Sequence, residues 1–281
     1  MEDCVRIKRP DFFDINQIFD CGQCFRFDFD NTDKKTRFSG VAYGKYISVL
    51  QTDDELIFYG TTREEFDTVW KSYFALDRDY GEVRKDVLCC FKDDETIKKA
   101  LEYGSGIRIL RQEPWETICS FIISQNNNIP RIKKIISSMS EAFGDKITYE
   151  GREYYAFPAA KALYDAGEEK IFSLKTGFRA KYIFDAARMV AEGELDLEKL
   201  ALLNTDELIF ELMKVKGIGL KVASCVALFG FGKTDAFPVD VWMKRVIEKY
   251  YPNGLDIPSL GRYAGVAQQY LFYYERYNKQ Q

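Results

Sequence analysis

Read for the spacing of apolar and polar positions, the chain changes character near residue 104. Before it, short β-prone runs at 25–27, 36–41, 46–50 and 55–59 are separated by the turn-forming stretches Asp30-Asn31-Thr32-Asp33, Tyr43-Gly44-Lys45 and Thr52-Asp53-Asp54. That pattern predicts an antiparallel sheet. Helical spacing is confined there to 62–77 and 94–103, and Gly104-Ser105-Gly106 reads as a joint. From 114 onward the apolar period becomes helical, with segments expected at 114–124, 129–143, 157–164, 178–192, 205–215, 220–229, 241–250 and about 259–276. No internal repeat is visible. The expectation is an α+β chain: an N-terminal antiparallel β-rich domain over 1–104, then an all-helical core over 105–281.

Within the core, Lys214-Val-Lys-Gly217-Ile-Gly219-Leu-Lys221-Val-Ala-Ser-Cys225 joins two helical patterns. Thr205 reads as an N-cap, with Asp206 and Glu207 in the first turn. Gly217 and Gly219 allow a tight turn before the next helix, so a helix–hairpin–helix is expected over about 205–230. Freed backbone N–H groups in such a turn, with the second helix's N-terminus, can grip a phosphate without side chains. An ordinary αα-hairpin has the same pattern. Lys221 falls in the first turn of the second helix, where the helix field disfavours an ammonium and partial burial would disfavour it further. An amine must be neutral to attack carbon, so that placement suits a nucleophile, although a lone lysine is also an ordinary surface charge.

Composition narrows the chemistry. The chain of 281 residues contains no histidine, which removes a His general base, Ser-His-Asp catalysis and His-ligated zinc. The formal charge of −4 gives no global basic field. Residues 211–250 nevertheless carry seven basic and four acidic side chains, a local excess of about +3. The seven cysteines are an odd number, and Cys21-Gly22-Gln23-Cys24 has metal-site spacing that no second pair answers. No metal or other cofactor is expected. The N-terminus lacks the apolar run of a signal peptide and no segment approaches 18 uninterrupted apolar residues, so a cytoplasmic chain with reduced thiols is expected, without a membrane partner.

Nineteen residues beyond Lys221, the run Phe237-Pro238-Val239-Asp240 ends where another helical pattern begins. Asp240 reads as an N-cap. An aspartate there stays ionised and could also stabilise positive charge developing on a sugar as its base departs.

These two segments together resemble the helix–hairpin–helix, Gly/Pro-rich loop and aspartate of the base-excision DNA glycosylases, in the branch that carries both a lysine and the aspartate. Further blocks resemble 8-oxoguanine DNA glycosylases: Asp20-Cys-Gly22-Gln-Cys-Phe-Arg-Phe, then Gln112-Glu-Pro-Trp-Glu through Ser124-Gln-Asn126-Asn-Asn-Ile-Pro-Arg131. Gly177-Phe178-Arg179-Ala-Lys-Tyr182 and Ala264-Gly265-Val-Ala-Gln268-Gln-Tyr-Leu-Phe272 follow in the order of that family. The likeness runs from about residue 10 to 275.

By resemblance, Lys221 attacks C1′ of the damaged nucleotide, Asp240 is its electrostatic and proton-transfer partner, and a Schiff base then permits β-elimination. The partner would be double-stranded DNA containing 8-oxoguanine, bound by a monomer in the cytoplasm, or at the nucleoid of a prokaryote. The lesion would be turned out of the duplex into a pocket. Gly22 would offer its carbonyl to N7–H, Cys225 and Phe272 would flank the base, and Gln268 would meet its Watson–Crick edge. Asn126, Arg131 and Arg179 would address the gap and the orphaned partner base, and Phe178 would wedge into the stack. Read without the resemblance, Phe178 and Phe272 are core aromatics, Cys225 a small buried residue, the Asn run a capping loop and the arginines solvated. Three positions depart from the family: Lys216 replaces a usual proline, Trp242 a histidine and Phe178 a tyrosine. A related glycosylase for another damaged base and a non-catalytic DNA-binding module remain as alternatives.

Overall fold

A computed structural model of the chain describes residues 4–30, 36–92 and 94–278. Five strands form one antiparallel sheet: β1 (Cys4–Lys8), β2 (Phe27–Phe29), β3 (Thr36–Ala42), β4 (Lys45–Gln51) and β5 (Glu55–Tyr59), in the spatial order β1-β5-β4-β3-β2. β3 and β4 are joined by Tyr43 and Gly44 at φ 52° and 65°, the left-handed pair that a two-residue hairpin needs to match the twist of its strands. The turn read at Asp30–Asp33 lies partly outside the described residues.

Ile47, Val49, Leu56 and Phe58 point to one face of the sheet and are fully buried there. The short helix Ile15–Asp20 and the segment around Phe66, Trp70, Tyr73 and Phe74 cover that face. β1, in which Val5 and Ile7 alternate with Arg6 and Lys8 and Val5 is buried, was not foreseen.

The helical half follows the expected segments closely at Pro114–Ser124, Ile129–Phe143, Leu220–Phe229 and Val241–Tyr250. It also contains a β-hairpin, β6 (Lys146–Tyr149) with β7 (Arg152–Tyr155), where helix alone was expected. The rings of Tyr149 and Tyr154 pack on Tyr46 of β4, with centroids 4.5 and 4.2 Å apart, so this hairpin ties the sheet to the helices. A helix at Tyr80–Phe91 was also missed; it buries Tyr80, Val83, Val87 and Phe91 in the helical core, beside Glu95–Tyr103 and the C-terminal helix Ala264–Tyr277. The Gly104–Gly106 joint is pinned to the start of the first helix, with Asp14 N–H donating to Gly106 O at 3.0 Å. Among the described residues no helix is long and apolar enough to cross a membrane.

Candidate active site

The hairpin begins one residue earlier than expected. Asn204, not Thr205, is the N-cap: its side chain accepts from Glu207 N–H at 3.0 Å, while the Glu207 carboxylate accepts from Asn204 N–H at 3.2 Å. Asn204 is extended and free to fold its amide back, whereas Thr205 is already helical and donates its hydroxyl to Asp235 at 2.6 Å. The first helix ends at Leu212, and Val215 and Ile218 fill the turn from beneath.

The two glycines do different work. Gly217 has φ +82°, and a Cβ there would stand 2.4 Å from Cγ of Tyr182. Gly219 has an unstrained φ of −95°, and a Cβ there would meet nothing within 4 Å. The protein itself therefore demands Gly217, while Gly219 leaves backbone bare toward open space. Lys216 beside them is exposed and makes no ion pair among the described residues.

Lys221 is the second residue of Leu220–Phe229 and is half-buried, its Nζ 5.4 Å from the centre of the Phe121 ring. Cys225 lies one turn further on and is buried. Burial pushes its thiol up to about 11; the Lys221 ammonium opposes that shift and the Asp240 carboxylate adds to it. The sulfur thus lies within electrostatic reach of both candidate catalytic groups, which come from different helices. Asp240 caps Val241–Tyr250 through a 2.8 Å bond from Met243 N–H to its Oδ1, which keeps one carboxylate oxygen fixed at the helix start.

The loop 20–26 is held between these helices and the C-terminal one. Gln23 is fully buried: its amide donates to Ile18 O and Arg108 O, and its carbonyl accepts from Leu110 N–H. Gln269 donates to Cys21 O from the C-terminal helix. So pinned, Gly22 adopts φ +78°, and a methyl placed on it would sit 3.8 Å from Phe272 Cε1 and Cζ. Phe25 packs edge-on against Phe121 with centroids 5.8 Å apart, which brings the loop's other end under Lys221. Gln268 is buried with an Oε1 that accepts no hydrogen bond among the described residues. A buried acceptor left unpaired is costly, and here it is available to a ligand. Gln23 and Gln269 were not singled out from sequence; buried amides carry no periodic signal.

The Asn run and the Gly-Phe-Arg turn meet on the same face. Asn128 caps Ile129–Phe143, accepting from Arg131 N–H at 3.0 Å, and Asn127 donates to Ile123 O, so the capping interpretation holds for these two. Asn126 is exposed at φ +47°. Arg179, expected to reach the partner base, is instead 3% exposed and spends its donors on Gln125 O, Asn126 O and Thr176 O. It fastens the two loops together. Phe178, which alone reads as core, is 50% exposed, with the Arg179 guanidinium 4.4 Å from its ring centre. Arg131 is exposed, and its charge adds to the larger effect of burial in lowering the pKa of Arg179. Gln125 completes the link, donating to Gly217 O at 3.0 Å. Asn126, Phe178, Arg131 and the glycine turn are therefore parts of one surface.

The cysteine spacing at 21 and 24 has a structural explanation. Cys21 belongs to the helical core and Cys24 to the core under the sheet, so their sulfurs point into separate clusters, and burial raises both thiols. Among the described residues no group of His, Cys, Asp or Glu has the arrangement of a metal site.

Residues 5–118 match the model of the 8-oxoguanine DNA glycosylase N-terminal domain, and 119–256 that of the HhH-GPD superfamily of base excision DNA repair proteins. A Saccharomyces cerevisiae N-glycosylase/DNA lyase is 33% identical over 259 residues, spanning 84% of this chain and 68% of that protein. The structure of MBOgg1 in complex with a low-affinity DNA ligand superposes with a TM-score of 0.93 at 41% identity, covering 100% of this chain and 98% of that one. Clostridium acetobutylicum 8-oxoguanine glycosylase/lyase, in complex with double-stranded DNA containing cytosine opposite 8-oxoguanine, superposes at 0.88 with 39% identity over 100% of both chains.

Proposed function

The chain belongs to the 8-oxoguanine DNA glycosylase family of the HhH-GPD superfamily, and on that footing we propose that Lys221 is the nucleophile with which it removes the oxidised base. It is a bifunctional DNA N-glycosylase and AP lyase that excises 8-oxoguanine from duplex DNA. The observation that supports the assignment of residues is the place of Lys221, over the Phe121 ring and one helical turn before the buried Cys225, with Asp240 fixed at the start of the next helix and Gly22 facing Phe272.

In this reading the duplex is held by the bare backbone at Gly217 and Gly219, with Lys216 alongside. Phe178 enters the stack from the exposed turn, and Asn126 and Arg131 meet the bases around the gap, while Arg179 acts as a positioning residue behind them. The flipped base lies between Phe272 and Cys225, with Gln268 at its Watson–Crick edge and the Gly22 carbonyl accepting from N7–H. Guanine carries a lone pair at N7, so the same carbonyl repels it.

As the C1′–N9 bond breaks, its electron pair leaves with the base and positive charge develops on the sugar. The Asp240 carboxylate stabilises that charge. Lys221 Nζ forms the new bond to C1′ and loses a proton; ring opening gives the imine. The imine acidifies the C2′ proton, and its loss expels the 3′ phosphate with the C3′–O electron pair. Hydrolysis of the imine returns Lys221. A water nucleophile would stop at base removal, so the lysine explains why excision and strand cleavage occur together.

Seven free cysteines fit a reducing compartment such as the cytoplasm or a prokaryotic nucleoid. A duplex with one 8-oxoguanine tests the assignment: free base and the β-elimination product should appear together. Base release with the strand left intact would assign the attack to water and overturn it.

A further inference from the structure

Gln268, Phe272 and Arg276 form one stripe of the helix Ala264–Tyr277, each four residues from the next. At a rise of about 1.5 Å per residue the outer two stand about 12 Å apart along the axis, with Phe272 midway. A purine laid on Phe272 with its Watson–Crick edge at Gln268 therefore directs its opposite end, N7 and C8, toward Arg276. Gly22 is on that side too: a methyl on it would lie 3.5 Å from Arg276 Nη1. The Arg276 guanidinium is held over two rings, 5.8 Å from the centre of Phe272 and 4.8 Å from that of Tyr277. It makes no hydrogen bond or ion pair among the described residues, so its donors are uncommitted. Arginine presents them in a planar fork suited to a carbonyl oxygen.

We propose that Arg276 reads the lesion directly, donating a hydrogen bond to the oxygen on C8 of the flipped base. This rests on the base pose given above. It adds a contact that guanine cannot make, since guanine carries C8–H at that point and would bring a hydrogen against the guanidinium donors. Gly22 and Arg276 then test the two atoms in which 8-oxoguanine differs from guanine, N7–H by an acceptor and O8 by a donor. Arg276 lies outside the blocks that carry the family likeness in the sequence, four residues past the last of them.

The test uses binding, in a Lys221→Gln background that cannot cleave, to three duplexes differing only at the target position: 8-oxoguanine, guanine and a tetrahydrofuran abasic analogue. Adding Arg276→Met should weaken binding to the 8-oxoguanine duplex by about tenfold to a hundredfold, the range for one hydrogen bond to a charged donor. Affinity for the other two should stay within about twofold, because neither offers O8. A parallel loss on all three would mean that Arg276 binds the backbone or supports the fold, and no loss on any would mean it makes no contact; either overturns the proposal. The unaltered chain should cleave a natural abasic site. If the unaltered chain itself fails to cleave, the Lys221 assignment is at fault rather than Arg276.

Discussion

Gly217 and Tyr182 touch so closely that no methyl group fits between them: a Cβ on residue 217 would stand 2.4 Å from Cγ of the ring. Tyr182 in turn packs edge-on against Phe178, with centroids 6.2 Å apart. The turn proposed to grip the DNA backbone and the residue proposed to enter the stack are thus joined through one aromatic ring. Gly217→Ala must both occupy φ +82° and displace that ring. The left-handed conformation alone costs about 1–2 kcal/mol, and the displacement adds to it. Urea unfolding should show a loss of about 2 kcal/mol or more, with duplex affinity lowered by about tenfold. Stability equal to that of the unaltered chain would show that the turn does not depend on this contact.

Gly219→Ala separates DNA contact from folding. Its φ is ordinary and its surroundings are open, so unfolding should change by no more than about 0.5 kcal/mol. The added methyl enters the space assigned to a phosphate, and duplex affinity should drop severalfold or more. An unchanged affinity would remove Gly219 from the interface.

Phe178→Ala is a surface change in the free protein, since half of the ring is exposed. Melting temperature should barely move. Single-turnover excision should slow by about tenfold, as the gap left by the flipped base loses its filler. An excision rate within twofold of the starting value would leave the ring without that role.

Glu116 gives a pH dependence remote from the chemistry. Burial raises its carboxyl from 4.5 to about 7, against the pull of Arg26, whose Nη1 is 3.6 Å away. The folded chain therefore holds a proton between those values that the unfolded chain has released. The resulting stability is full below about 4.5 and is lost as pH rises through about 7, amounting to about 3 kcal/mol at 1.36 kcal/mol per unit. Glu116→Gln should lack this decline. Urea midpoints at pH 5 and pH 8 should diverge between the two proteins, the variant gaining about 2–3 kcal/mol relative to the parent. Parallel profiles would place the titration elsewhere.

The sequence exposed the hairpin, Lys221 and Asp240 because local rules govern them: glycines set a turn, an aspartate sets a helix start, and both lie beside strongly periodic helices. The helix Tyr80–Phe91 was missed although Asp79 caps it and apolar residues recur at 80, 83, 87 and 91, since a glycine in its first turn weakens the pattern. Other features had no local signal. That Gly22 faces Phe272 depends on Gln269 reaching back 248 positions to Cys21. The role of Arg179 likewise came from its carbonyl partners at 125 and 126, which spacing does not reveal. Pairs so far apart along the chain are decided by packing, and only the folded structure displays them.

The central claim is that Lys221 forms a covalent imine with the damaged sugar, and borohydride trapping on a duplex containing 8-oxoguanine tests it most directly. The unaltered chain should yield a stable protein–DNA adduct, and Lys221→Gln should yield none while still binding the duplex. No adduct with the unaltered chain, or an undiminished one with the variant, would contradict the mechanism.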